Sequence, residues 1–181
     1  MYNDAEYARP AANERYEVFM LGPHEWVPNH PRLPVVIYRH ALRADSGDLA
    51  AAFEILFERN DWPLQWRDGI FDYHHFHATA HEVLGVVSGV AEVIVGGPGG
   101  RVVRIAAGDA LLLPAGTGHC LQSFAGYFQV VAGYPAGQQW DIRREALSPE
   151  EYAAMQALPF PPRDPLDGTH GPVVEHWLHG A

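Results

Sequence analysis

The sequence predicts an all-β fold, an antiparallel sandwich or barrel, on three observations. Short apolar runs repeat from about residue 69 to residue 134, each closed by glycine, and helical periodicity is confined to brief stretches outside them. The chain has 181 residues, 48% hydrophobic and 12% aromatic, enough apolar surface to offset the entropy of ordering one domain.

Taken in order, residues up to about Gly22 are polar and weakly patterned. PHEWVPNHPRLPVVIYRHAL places four prolines ahead of a β-branched run. Proline fixes φ and removes a donor, so this predicts an extended arm leading into an outer strand. Asp45 or Ser46 caps a helix that follows, Asp48 favours its positive end, and Leu49, Phe53, Leu56 and Phe57 form its apolar stripe until Asn60, Trp62 and Pro63 stop it. That helix is expected on the outside of the sheet. The strand candidates are IFDYHHFH, EVLGVVS, AEVIV, RVVRI, ALLLP, HCLQSF and YFQVVAGY, with turns at GGPGG, AAGD and PAGTG. No helix follows GGPGG, which makes it a hairpin turn rather than a phosphate loop.

Ser148-Pro149-Glu150-Glu151 joins a capping box to a proline at the first helical position, predicting a helix from Pro149 to about Leu158 that packs through Tyr152 and Met155. PFPPRDPLDGTHGP reads as an irregular connection, and VVEHWL as a final strand or extended segment able to pair with a barrel edge of its own or a partner subunit. The expected division is arm, strand and helix over 1–66, β core over 67–136, and helix and tail over 137–181, all in a single domain.

Charge and composition exclude several classes. A formal charge of -10 with 12 Lys and Arg supplies no clustered basic face, which argues against nucleic acid and anionic lipid as partners. Cys120 is the single cysteine, so no intramolecular disulfide forms. The first twenty residues lack the apolar core of a signal segment, and no apolar run approaches the roughly 18 residues of a membrane span. A cytoplasmic protein is expected.

The chemistry concentrates in two segments. In GIFDYHHFHATAHEVLGVVSG, His75 and His77 stand two residues apart, so on a strand they face the same side about 7 Å apart. Glu82 starts the neighbouring strand and adds a carboxylate. In GDALLLPAGTGHCLQS, a Pro/Gly turn feeds His119. Three imidazoles and one carboxylate suit Fe(II), Mn(II), Ni(II) or Zn(II), and on an octahedral ion four protein ligands leave two positions open.

These two segments resemble the signature motifs of the cupin superfamily, meeting all five fixed positions of the first and four of five in the second. Ser123 stands where that pattern usually has asparagine, outside the metal shell. HPRLPVVIYR, WRDGIFDYHHFHATAHEVLG, LLPAGTGH and GYPAGQQWD extend the likeness to the YjlB-like group of bacterial cupins. The resemblance implies a double-stranded β-helix, or jelly-roll barrel, holding one divalent transition metal through His75, His77, Glu82 and His119.

His74 and His81 adjoin ligands but alternate to the other side, which makes them surface or supporting histidines. His24, His30 and His40 carry no spacing signal and read as ordinary structural or surface histidines. Alternation also turns Cys120 away from the cavity. Phe71 and Tyr73 share parity with His75, and Leu121 and Ser123 with His119, making these four the pocket-lining candidates.

The mixed His/Glu set points first to a metal-dependent oxidoreductase of dioxygenase type acting on a small organic substrate. The alternatives are a non-catalytic, metal-dependent module that binds or senses a small acid or sugar, and a metal-dependent isomerase or lyase. A homodimer is expected, because the barrel has edges that extended termini can cover.

Overall fold

The structure is a computed structural model and describes residues 15–179. Residues 1–14, on which most of the expected lack of a signal segment rests, lie outside the described residues. No described helix is long and apolar enough to cross a membrane.

One antiparallel sheet of seven strands forms the body: β1 (Tyr16–Phe19), β2 (Val35–Tyr38), β3 (Leu64–Asp68), β4 (Glu82–Val95), β5 (Arg101–Ala106), β6 (Ala110–Leu113) and β7 (His119–Gly133). The order is β1-β2-β6-β4-β7-β3, with β5 pairing β4 off this path. EVLGVVS and AEVIV, expected as two strands, are the two halves of β4. HCLQSF and YFQVVAGY likewise merge into β7. Register shifts near Ser88 and Glu92 let two such long strands stay paired while bending.

Alternation along these strands builds two cores on opposite faces of the sheet. Val36, Tyr38, Val83, Leu112 and Val131 pack on one side with Phe53, Phe57, Trp62 and Trp177. Val35, Ile37, Leu84, Leu111, Leu113, Val130, Ala132 and Tyr134 pack on the other, the barrel interior. The helix α1 (Leu49–Arg59) covers the first face, and Gly85 makes this close approach feasible, because a Cβ there would sit 2.7 Å from the Phe53 ring. Its N-cap is Asp48, whose side chain accepts from Ala51 N, rather than Asp45 or Ser46.

α2 (Pro149–Gln156) carries the expected capping box, with Ser148 and Glu151 bonded reciprocally and Met155 buried.

Four expectations need correction. β2 is not an outer strand: it lies between β1 and β6, and all four of its residues are buried. LQWRD and YEVF, not foreseen as strands, form β3 and β1 at the two ends of the strand order. IFDYHHFH is irregular, held by isolated bridges from His75 to His119 and from Phe76 to Arg143. VVEHWL is neither strand nor extended: Val173–Leu178 forms a short π-helical segment. There Trp177 is fully buried against Trp62, and its Nε1 donates to the Pro34 carbonyl at 3.2 Å. Burial of one indole against the α1 side of the sheet sets this segment's conformation, overriding its β-branched start.

Candidate metal centre and its cavity

Three histidines converge inside the barrel. His75 and His77 come from the irregular segment before β4, and His119 from the first residue of β7. Reciprocal backbone bonds between His75 and His119, at 2.9 and 3.3 Å, tie the segment to that strand. One ring nitrogen from each of the three lies within 4.8 Å of the others, and all three residues are buried.

The other ring nitrogen of each is spoken for. Nδ1 of His75 donates to the Tyr73 carbonyl at 3.0 Å, Nδ1 of His119 to the Thr117 carbonyl at 3.0 Å, and Nδ1 of His77 to the Asp141 carbonyl. A carbonyl only accepts, so each Nδ1 carries the hydrogen and each neutral ring offers a lone pair at Nε2. Asp141 is itself held in place, since its carboxylate accepts from Ala78 N at 2.7 Å and Thr79 N at 3.2 Å.

Glu82 opens β4 on the interior face, with the parity of Leu84. Its Oε1 lies 3.3 Å from His77 Nε2 and its Oε2 3.3 Å from His119 Nε2. Tyr134 donates to Oε1 at 2.6 Å, and Trp66 Nε1 in turn donates to the Tyr134 hydroxyl at 2.8 Å. Oε2 is buried and receives no hydrogen bond. An acceptor in that state is costly unless a cation completes it, so the donor set fits a metal ion.

The electrostatics agree. Burial opposes ionisation of Glu82, but the adjacent His77 and His119 hold its carboxyl well below the usual range. Burial also opposes protonation of His77, and Glu82 outweighs it, raising His77 above the ordinary value. Burial, with His119 beside it, lowers His75 to about 3. Burial and the Glu82 charge push the Tyr134 hydroxyl up, so it stays a donor. In the absence of a metal, the cluster thus favours a proton between His77 and Glu82, where a dication would bind in its place.

Above this floor lies a cavity of about 220 Å³, lined by Trp66, Arg67, Asp68, Gly69, Ile70, Phe71, Leu84 and Trp140 together with the three histidines and Glu82. Of the four expected lining residues, Phe71 lies on its wall. Tyr73 stacks behind Phe71 at 4.8 Å, Leu121 faces a separate recess with Phe124 and Tyr127, and Ser123 is exposed and donates to Glu92 at 3.0 Å. Trp66, Tyr134 and Trp140 carried no spacing signal, because β3, the end of β7 and the following loop bring them in from distant sequence.

His81 is not a surface residue. It is fully buried on the opposite face, 4.9 Å from the Trp177 ring and 6.2 Å from His30. Cys120 is buried and pairs across from Ile94, and burial raises its thiol pKa, with Asp72 adding to the effect.

Comparison with known proteins places these features in context. Residues 68–125, which include all four donor residues, match the family model of the cupin domain. The chain is 36% identical over 154 residues to an uncharacterized protein, YjlB, of Bacillus subtilis strain 168, spanning 84% of this chain and 90% of that one. Among solved structures, it is similar to a conserved protein with a double-stranded β-helix domain from Klebsiella pneumoniae, at 18% identity and a TM-score of 0.35, covering 82% of this chain and 92% of that one. It is also similar to procruciferin, an 11S globulin of Brassica napus, at 19% identity and a TM-score of 0.37, covering 71% and 36% of the two chains.

Proposed function

The chain belongs to the cupin superfamily, in its YjlB-like group, and from that premise we propose that it is a metal-dependent oxidoreductase of dioxygenase type, with His75, His77, Glu82 and His119 holding one divalent ion. The observation that carries this reading is the shared tautomer: three rings anchored through Nδ1 direct Nε2 at one point, beside a carboxylate oxygen that receives no hydrogen bond. Nitrogen-rich donors with one hard oxygen suit Fe(II), Mn(II), Ni(II) or Zn(II). Such an ion, when bound, supplies Lewis acidity and, for iron or manganese, redox chemistry toward O₂.

The protein's own residues do the rest. Tyr134 and Trp66 fix the rotamer of Glu82 through consecutive hydrogen bonds. Leu84, Ile70 and the Trp140 ring keep the floor in a low-polarity recess, where charge on a small organic substrate is felt more strongly than in water. Asp68 and Arg67 stand at the rim, with the Asp68 carboxylate accepting from the Gly69 amide and Arg67 Nε donating to Gln129. Both residues are exposed at the mouth, and between them and the metal donors the side chains lining the cavity, Trp66, Ile70, Leu84 and Trp140, bring no further acid or base, which favours oxidation over an isomerase or lyase reaction.

Metal analysis of protein purified without added metal, paired with O₂ uptake after Fe(II) loading, tests the reading. About one ion per chain, with O₂ uptake that depends on an organic substrate, supports it. Four-coordinate zinc alone with no O₂ uptake contradicts it, and ligand binding without turnover would point to a sensing module. We also propose a homodimer. β1 lies at one end of the strand order and exposes Val18, with exposed Met20 directly after it, a surface that a second copy would cover. A monomer in light scattering would refute that.

A further inference from the structure

Resting on the reading of the cavity floor as a metal centre, we propose that the cavity takes a small, flat, largely apolar molecule carrying one ionised oxygen group, of the chemistry of an aromatic carboxylate such as benzoate. Size is the first argument. A volume of about 220 Å³ lies below the roughly 300 Å³ at which pockets for drug-sized ligands begin.

Shape is the second. Phe71 and Trp140 line the cavity where it meets solvent, 46% and 40% exposed. Each is backed by a near-parallel ring: Tyr73 lies behind Phe71 at 4.8 Å and 14°, and Tyr134 lies against Trp140 at 6.0 Å and 21°. The Arg144 guanidinium sits 4.3 Å from the Tyr73 ring centroid. Both mouth rings are therefore held as flat faces before any ligand arrives, at little further cost in side-chain entropy.

Hydrogen bonding is the third. Trp66 Nε1 is used on the Tyr134 hydroxyl, and that hydroxyl is used on Glu82. Arg67, Asp68 and Gly69 offer polar groups only at the rim; between it and the floor the side chains are Ile70, Leu84, Trp66 and Trp140, so hydroxyls on the buried part of a ligand would meet no free side-chain partner. Each buried, unpaired hydroxyl costs about 1–3 kcal/mol, roughly 5- to 150-fold in affinity, which disfavours sugars and polyols. Charge is the fourth. A dication with one carboxylate and three neutral imidazoles leaves the floor net positive, which favours an anionic oxygen there and an apolar body above.

The test titrates metal-loaded protein with benzoate, glucose and inorganic phosphate, read by calorimetry and tryptophan fluorescence, with metal content measured on every sample. Benzoate is expected to quench fluorescence and to bind about tenfold or more tightly than glucose or phosphate. Phe71→Ala and Trp140→Ala should each weaken benzoate by about tenfold at unchanged metal content, and Trp140→Phe, which keeps a flat ring, should restore most of the loss. Phe124→Ala, in the separate recess, should change nothing. Glucose binding as tightly as benzoate overturns the inference, as does phosphate binding as tightly, since the floor would then act without the walls. If the wild-type protein holds no metal, the reading of the floor fails separately. The wall is then judged on the metal-free protein, where loss of the preference for benzoate over glucose overturns it.

Discussion

Two histidine clusters lie buried in this protein, and they are built in opposite senses. In the barrel interior, Nδ1 of His75, His77 and His119 each donates to a backbone carbonyl, which turns Nε2 of each toward the centre, where a dication would displace the proton shared by His77 and Glu82. On the other face of the sheet, His81 Nδ1 accepts from Ala115 N at 2.9 Å, and His30 Nδ1 accepts from Leu33 N at 3.0 Å and Arg32 N at 3.2 Å. Their hydrogens must therefore sit on Nε2, which is buried and makes no hydrogen bond in either ring. Burial and residue type are shared, but the backbone group facing Nδ1 decides which histidines can offer a lone pair to a metal.

The largest effect that would break this contrast is on metal binding. His75→Ala should lower metal affinity by more than about 100-fold, because even the supporting partners of a metal ligand are worth about 10- to 100-fold. Retention of full occupancy in dialysed protein would remove His75 from the set.

A second prediction concerns acid. Burial lowers His81 to about 3 and, with Arg32 adding to the effect, lowers His30 to about 4. The unfolded chain takes up these protons near pH 6.5, whereas the folded one resists until about pH 4 and then pH 3. Stability present above pH 6.5 is therefore lost as pH falls toward 3, by up to about 1.4 kcal/mol per pH unit for each histidine. Urea unfolding across that range should show the decline, and His81→Gln should make it shallower by up to about 1.4 kcal/mol per pH unit. A flat profile from pH 6.5 to 4.5 would contradict it.

The sequence made the interior cluster legible and left the other cluster hidden, for a physical reason. His75, His77, Glu82 and His119 sit at spacings that can be counted along the chain, although the segment carrying His75 and His77 is irregular and is placed by bridges to His119 and Arg143 rather than by a strand. The His30 and His81 pairing depends on the proline-rich arm folding back on β4 and on Trp177 closing over it, contacts far apart in sequence. The same holds for Tyr134 and Trp66, joined by the β3–β7 register. VVEHWL misled because β-branched residues and an aromatic imitate a strand, while one indole packed on Trp62 decides its conformation. The glycine-closed β runs and the capping box at Ser148 were readable because both are local.

Two smaller effects sharpen the comparison. His81→Ala should cost about 2–4 kcal/mol in urea unfolding, from the cavity it leaves and the Ala115 amide it strands, while the folded variant keeps its metal. Parallel loss of metal would show that the two clusters are not independent. Tyr134→Phe removes the 2.6 Å bond to Glu82 and should weaken metal binding by about tenfold, at a stability cost of about 1–2 kcal/mol from the Trp66 Nε1 it leaves without a partner. An unchanged affinity in a competition titration with a chelator would show that Glu82 needs no such support.

The most direct measurement is a titration of the metal-free protein with Zn(II), followed by the ¹⁵N resonances of its histidine rings. Before metal, Nδ1 should carry the hydrogen in His75 and His119, and Nε2 in His30 and His81. One equivalent of Zn(II) should then shift Nε2 of His75, His77 and His119 and leave His30 and His81 unmoved. Absence of binding at one equivalent, or a shift centred on His30 and His81, would contradict the account.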